Sequence, residues 1–168
     1  MALPLQQVSI ASEEGIMRVK DLMSEPVVTV APAESGLDAV ARMVRMRVRH
    51  LPVVNRDGML VGVVTDRDLR HYLLAPHVFG LLPARRVEDV LGSVRVAEVM
   101  STDVLTVEPE AILADAAAVM HDERVGSLPV VDHGRLVGVL TETDMLRHLV
   151  GVGPGCGPEC AEIIVSFP

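Results

Sequence analysis

The chain has 168 residues, of which 49% are apolar and 2% aromatic, and it carries a formal net charge of −8 at pH 7. This length suits one ordinary domain or two small ones with an aliphatic core. The acidic balance argues against a nucleic-acid or anionic-membrane surface, because phosphate binding is driven by clustered Lys and Arg. No apolar run approaches the roughly 20 residues that span a bilayer, and no signal peptide is recognisable. We therefore expect a cytoplasmic protein.

The first predicted elements follow an N-terminal extension, residues 1–17, which shows no regular period and is expected to be disordered or upstream sequence. A β-branched run at 27–30, ended by Pro32, predicts a short strand. Ser35 followed by Asp38 predicts a capped helix start. On that helix, the apolar residues at helical spacing are Leu37, Val40, Ala41 and Val44.

A hairpin and a second helix complete this unit. Residues 51–54 predict a strand, and 55–58 have turn chemistry. Residues 59–64 form a continuous apolar run, which is typical of a strand covered on both faces. Thr65 and Asp68 then lie where the strand passes into a helix, and Thr-x-x-Asp is a helix-capping pattern. The unit therefore reads strand, helix, strand, strand, helix.

The second half of the chain repeats this unit. The matching positions are Met23, Ser24, Thr29, Val30 and Pro32 with Met100, Ser101, Thr106, Val107 and Pro109; Arg47-Val48 with Arg124-Val125; Leu51-Pro-Val-Val54 with Leu128-Pro-Val-Val131; Leu60-Val-Gly-Val63 with Leu136-Val-Gly-Val139; and Thr65 and Asp68 with Thr141 and Asp144. This many collinear matches indicates one duplicated unit. A single unit is too small to bury its faces well, whereas two packed about a pseudo-twofold axis can do so.

The remaining features of the second half follow the same plan. Its predicted helix stripe consists of Ile112, Leu113, Ala116, Ala117 and Met120, and its turn is His133-Gly134. Residues 76–94 are expected to link the units, with a short helix at 87–91. Residues 151–168 read as a tail or as the start of a missing segment. Cys156 and Cys160 lie there without a second pair of ligands, so we expect neither a metal site nor a disulfide framework.

These motifs together resemble a CBS domain, which occurs here twice, at residues 18–75 and 95–150. The resemblance implies an α+β fold of tandem CBS domains, two βαββα units related by a pseudo-twofold, and a homodimer formed by such modules. It also implies a non-catalytic regulatory module with no obligatory cofactor. Its ligand would be an adenine nucleotide (AMP, ADP or ATP) or S-adenosylmethionine, held in clefts shared between the repeats. An effector protein, as another chain or a missing segment, would respond to this ligand.

The resemblance also implies roles for single residues. Asp68 and Asp144 would hold ribose hydroxyls, with Thr65 and Thr141 near the ribose or phosphate. The residues expected to line the adenine are Val28, Val48, Leu105 and Val125, and those expected near ribose and phosphate are Arg49, His50, Arg67, Gly126 and Ser127. The residues themselves support a nucleotide, because a hydroxyl and a carboxylate stand beside the free N–H groups of a helix N-terminus. The two copies differ in charge, so we expect two unequal clefts, with phosphate at the Arg49 and His50 end.

Three other functions compete with this one. In a ligand-free dimerisation scaffold, both Thr-x-x-Asp pairs would only cap helices. An enzyme acting on nucleotides is disfavoured because the sequence has no Walker loop, nucleophile elbow or HExxH motif. Nucleic-acid binding is disfavoured by the acidic balance and by the scarcity of aromatic side chains for base stacking.

Overall fold

The computed structural model describes residues 16–80 and 86–151, so the predictions on the tail and its two cysteines lie outside the described residues. The elements in chain order are α1 (Gly36–Met46), β1 (His50–Val54), β2 (Leu60–Thr65), α2 (Asp66–Leu74), α3 (Pro76–Phe79), α4 (Val87–Ser93), α5 (Val96–Val99), α6 (Leu113–Asp122), β3 (Ser127–Asp132), β4 (Arg135–Thr141) and α7 (Glu142–Leu149). Two antiparallel hairpins, β1–β2 and β3–β4, form the centres of the two repeats. Within the described ranges, none of the helices combines the length and apolar character needed to cross a membrane.

The start of α1 is the predicted cap, but the buried face of this helix is not the predicted one. Ser35 Oγ accepts a hydrogen bond from the backbone N–H of Asp38 at 3.1 Å, as a capping box requires. The buried residues are Gly36, Ala39 and Met43, whereas Val44 is 72% exposed. Of the predicted stripe, Val40 is half-buried and packs against the core, but Leu37, Ala41 and Val44 are exposed, because the helix turns the small residues Gly36 and Ala39 toward its neighbours. The Gly36 N–H donates to the carbonyl of Val94 at 3.0 Å.

The predicted stripe of α6 is largely confirmed. Ala116 and Met120 are buried, and Leu113 and Ala117 are half-buried. Ile112 is the exception, because it is the N-cap residue and is 38% exposed. The short helix predicted at 87–91 is also present, as α4.

The strand predicted at 27–30 is reduced to one paired residue. The Val30 N–H donates to the carbonyl of Pro52 at 3.1 Å, and the Val54 N–H donates to the carbonyl of Val30 at 3.0 Å. Extending this parallel ladder in either direction would require an N–H from Pro52 or Pro32, and proline has none. The second repeat has the same single bridge at Val107.

Both hairpin turns are confirmed. In the first, Asn55 Oδ1 accepts hydrogen bonds from the backbone N–H groups of Asp57 and Met59, and Gly58 has φ of 77°. In the second, His133 and Gly134 both have positive φ, 50° and 78°. Two consecutive residues with left-handed backbone conformation form the type of turn that matches the twist of a tight antiparallel hairpin.

The two repeats exchange segments, and each segment is completed by hydrogen bonds to the other repeat. Residues 17–24, which precede the first repeat's helix, pack on the second repeat: the Val19 N–H donates to the carbonyl of Ala111 at 3.0 Å. Residues 94–101 pack on the first repeat, where the Val96 N–H donates to the carbonyl of Glu34 at 2.9 Å. Consequently Val19 is buried in the core of the second repeat and Val96 in the core of the first. Neither core is made by one repeat alone.

The glycine in each Leu-Val-Gly-Val strand is required by this exchange. A Cβ atom at Gly62 would lie 2.8 Å from the sulfur of Met100 and 2.9 Å from the carbonyl oxygen of Ser101. Gly138 makes room for Met23 in the same way. The Met-Ser motif of each repeat therefore packs on the glycine of the other.

The segment between the repeats adds to the first core. Val90, Leu91 and Val94 are buried, and Leu91 and Val94 belong to the same apolar cluster as Ala39 and Met43. The first repeat thus has a helix, α4, packed on α1.

Substituting Gly62 by Ala tests the exchanged contact. We expect the free energy of unfolding to fall by about 1–3 kcal/mol, because the new methyl group would press on the Ser101 backbone, which cannot move aside as a side chain can. Urea denaturation measures this. The matched control is Gly92→Ala in α4, where no heavy atom lies within 4 Å of the added Cβ and stability should hold or rise by up to about 1 kcal/mol. Equal stability of wild type and Gly62→Ala would contradict the account.

Candidate ligand-binding site

The junction between β2 and α2 is a capping box that leaves half of its carboxylate available. Asp68 Oδ2 accepts hydrogen bonds from the Thr65 N–H at 2.8 Å and from the Thr65 hydroxyl at 2.7 Å. The capping interpretation of Thr-x-x-Asp is therefore confirmed here. Asp68 Oδ1 accepts no hydrogen bond from any residue that the structure describes.

This junction opens into a cleft of about 500 Å³ between the two repeats. Nine of the residues predicted for the site line it: Arg49, His50, Thr65, Arg67, Asp68, Leu105, Val125, Gly126 and Ser127. The first repeat contributes the end of its hairpin and the start of α2. The second contributes residues 101–105 and 124–127. The volume lies in the range of small-molecule sites, which hold a ligand between elements that the fold already fixes.

Four predicted site residues lie elsewhere. Val48 lines a separate groove between α1 and α2. Val28 packs against the first core. Thr141 and Asp144 form the second capping box, at the start of α7, and neither lines the cleft.

The arginines of the cleft differ in whether they are already paired. Arg70 forms an ion pair with Asp66 on the same helix. Arg49, Arg67 and Arg124 make no ion pair with the residues in 16–80 and 86–151. These three guanidinium groups are thus available to an anionic ligand, since Arg binds phosphate through two parallel N–H groups.

Nine lining residues were not predicted from the sequence: Val63, Asp66, Arg70, Ser101, Asp103, Val104, Arg124, Pro129 and Glu142. Arg124 carried a signal, because it stands two residues before Gly126, next to the stretch expected to reach ribose and phosphate. No sequence signal pointed to Ser101 and Asp103, because they reach the cleft only through the exchange of segments between the repeats. No group of three His, Cys, Asp or Glu in the described part of the chain is placed to hold a metal ion.

His50 lies half-buried at the seam between the repeats. Burial is the main factor that lowers the pKa of His50, and the neighbouring Arg49 lowers it further, while Asp66, Glu142 and Asp68 oppose the shift. Gly126 lies beside this histidine: a Cβ atom there would make ordinary van der Waals contacts, 3.6 Å from His50 Cε1 and 3.5 Å from Glu142 Oε2. The lowered pKa thus favours the neutral form of a ring that has groups of both charges around it.

Asp144 differs from Asp68 although the surrounding motif is the same. It is only 7% exposed. Its Oδ2 accepts from the Thr141 N–H at 2.9 Å and the Thr141 hydroxyl at 2.6 Å, as in the first repeat. Its Oδ1 also accepts from the Ser24 hydroxyl at 3.1 Å and from Arg147 at 3.5 Å. Both oxygens of this carboxylate are thus occupied by the protein.

Comparison with known proteins agrees with the duplication. A family model described as CBS domain matches residues 19–75 and 96–151. The chain is 37% identical over 139 residues to a CBS domain-containing protein of Dictyostelium discoideum, and the match covers 80% of this chain and 92% of that protein.

Two solved structures with similar folds contain adenosine compounds. The CBS domain pair of protein MJ0100, in complex with 5′-methylthioadenosine and S-adenosyl-L-methionine, superposes with a TM-score of 0.67 and 27% identity, covering 82% of this chain and 99% of that one. CBSX2 in complex with AMP superposes with a TM-score of 0.66 and 28% identity, covering 80% and 97%. These similarities confirm the predicted α+β fold of two tandem repeats.

The environment of His50 predicts a pH dependence of stability. Because the pKa of His50 is lower in the folded protein than its usual 6.5, the unfolded chain binds more protons, and stability should fall as the pH decreases from about 7 toward 5. An NMR titration should place the midpoint of His50 below 6.5. Thermal unfolding of His50→Gln across the same range should show a flatter pH dependence than wild type. Identical pH dependence in both proteins would refute this account.

Proposed function

The chain belongs to the CBS-domain family, and on that premise we propose that it is a non-catalytic regulatory module that binds an adenosine-containing ligand in the cleft between its two repeats. The observation that carries the proposal is the half-free carboxylate of Asp68, which faces a cleft lined by both repeats. A carboxylate with one oxygen fixed by a helix cap and the other available can accept the hydroxyl groups of a ribose.

The rest of the cleft suits the other parts of such a ligand. Leu105 and Val125 offer aliphatic surface for a flat base. Arg49, Arg67 and Arg124 lie along the same cleft and can pair with phosphate. Two of the structural neighbours hold AMP or S-adenosyl-L-methionine with methylthioadenosine, and an adenosine group is common to all three compounds. We therefore propose adenosine as the shared part that this cleft recognises.

The ligand-free scaffold remains the second candidate, and it has its own supporting observation. Both Thr-x-x-Asp pairs form complete capping boxes, as a scaffold would require. A scaffold does not, however, account for the difference between the two aspartates. It also gives no reason for three unpaired arginines to line the cleft beside Asp68.

A ligand panel tests the proposal. We expect at least one of AMP, ADP, ATP and S-adenosylmethionine to raise the melting temperature, because a ligand at about 100 times its dissociation constant stabilises the fold by roughly 2.7 kcal/mol. Asp68→Asn should weaken that binding roughly ten- to a hundredfold, since it removes a charged hydrogen-bond acceptor. Isothermal titration calorimetry measures the affinity.

The matched control for Asp68→Asn is Asp57→Asn, which makes the same change of charge in the β1–β2 turn. It should leave the affinity unchanged. The absence of a thermal shift with all four compounds would favour the scaffold. Unchanged affinity in Asp68→Asn would reject the proposed site, and turnover of any nucleotide in the same samples would reject a non-catalytic role.

We further propose that two copies of the chain pair through the first repeat. The repeats would extend over residues 18–75 and 95–150, and the dimer would act in the cytoplasm on a separate effector protein. An apolar groove of about 540 Å³ lies between α1 and α2 and is lined by Val40, Val44, Val48, Leu69, Leu73 and Leu91, among others. The exposed Val44 at this groove is the kind of apolar surface that favours association.

Light scattering tests the pairing. Wild type should run at twice the chain mass of 18.1 kDa, and Val44→Glu should run as a monomer, because a charge would be buried in the interface. Val87→Glu, on an exposed valine of α4 that does not line the groove, is the control and should stay dimeric. A monomeric wild type would rule out the pairing.

A further inference from the structure

The hydroxyl of Ser24 donates a hydrogen bond to Asp144 Oδ1 at 3.1 Å, whereas the same oxygen of Asp68 accepts none from the described residues. From this contact we propose that the Ser24–Asp144 hydrogen bond is a latch that closes the second binding position, so that each chain takes one ligand, at Asp68. The part of this inference that concerns the ligand rests on the function proposed above. The latch itself does not.

Counting hydrogen bonds separates the two aspartates. A carboxylate has about four acceptor sites. Asp144 uses four of them, on Thr141 N–H, Thr141 hydroxyl, Ser24 and Arg147. Asp68 uses two, both on Thr65, among the residues described. The two sites left at Asp68 match the two vicinal hydroxyls of a ribose, whereas Asp144 has none left.

The difference does not come from the capping motifs, which are the same in both repeats. The counterpart of Ser24 is Ser101, which lines the open cleft and makes no side-chain hydrogen bond to Asp68. The repeats also differ at the position three residues after each aspartate. In the second repeat this is Arg147, which contacts Asp144 and balances its charge in a buried position. In the first repeat the same position is His71.

Closing the second position follows from the cost of burying an unpaired charge. A buried carboxylate is stable only when it is paired and hydrogen-bonded. For a ligand to bind Asp144, Ser24 would have to leave, and the ligand would regain only the hydrogen bond that was lost. At Asp68 the ligand displaces no protein group. The same motif therefore binds ligand in one repeat and joins the repeats in the other.

The latch can be measured without ligand. Ser24→Ala should lower the melting temperature by roughly 3–10 °C, since a hydrogen bond to a charged group is lost. Ser101→Ala is the matched control in the other repeat and should change it by less than about 1 °C. In an Asp144→Asn background, Ser24→Ala should have a clearly smaller effect than in wild type. Equal losses for Ser24→Ala and Ser101→Ala, or full additivity with Asp144→Asn, would overturn the latch.

Calorimetric titration with AMP, ADP, ATP and S-adenosylmethionine, each separately, tests the single site. We expect one equivalent per chain for any compound that binds, a roughly tenfold or greater loss of affinity in Asp68→Asn, and a change within about twofold in Asp144→Asn. Two equivalents, or equal losses in both variants, would overturn the single-site inference. If no compound binds to wild type, the proposed function and the single site both fail, while the melting temperatures still decide the latch.

Discussion

Neither repeat closes its own core, because each is finished by a segment that belongs to the other. Residues 17–24 complete the second repeat and residues 94–101 complete the first, through backbone hydrogen bonds and through methionines that pack on Gly138 and Gly62. This exchange fixes where the cleft lies. It carries Ser101 and Asp103 across to Asp68, so that one cavity is lined by both halves of the chain. Any change in how the halves pack must therefore alter the cavity, which is the property that a ligand-responsive module requires.

The two repeats have nearly the same fold, but they supply different side chains to the cleft. The first repeat supplies Arg49, His50 and Arg67 to the cleft, and the second supplies Gly126 and Ser127 at the positions that correspond to Arg49 and His50. Gly126 lies next to the ring of His50, so the two differing positions meet in the cleft. Both repeats thus keep the Thr-x-x-Asp capping box, while the residues that each contributes to the cleft differ.

What could be predicted from the sequence was local. The capping boxes at Ser35, Thr65 and Thr141 and the glycine turns depend on residues a few positions apart, and all are present as predicted. The buried face of α1 could not be predicted from its apolar spacing, because the small residues Gly36 and Ala39 pack against a segment some 55 residues later. The strand predicted at 27–30 is shorter than expected because Pro52, in the strand with which it pairs, has no N–H to extend the ladder.

The polypeptide that joins the repeats makes their pairing an intramolecular event. Segments held by a short connection meet at an effective concentration in the millimolar range, whatever the concentration of the protein. The cleft, which needs both repeats, is consequently assembled at any dilution, in contrast to a site built at the interface of separate subunits. Under the proposed function, its occupancy would then follow the free ligand concentration and would not depend on how much of the protein is present.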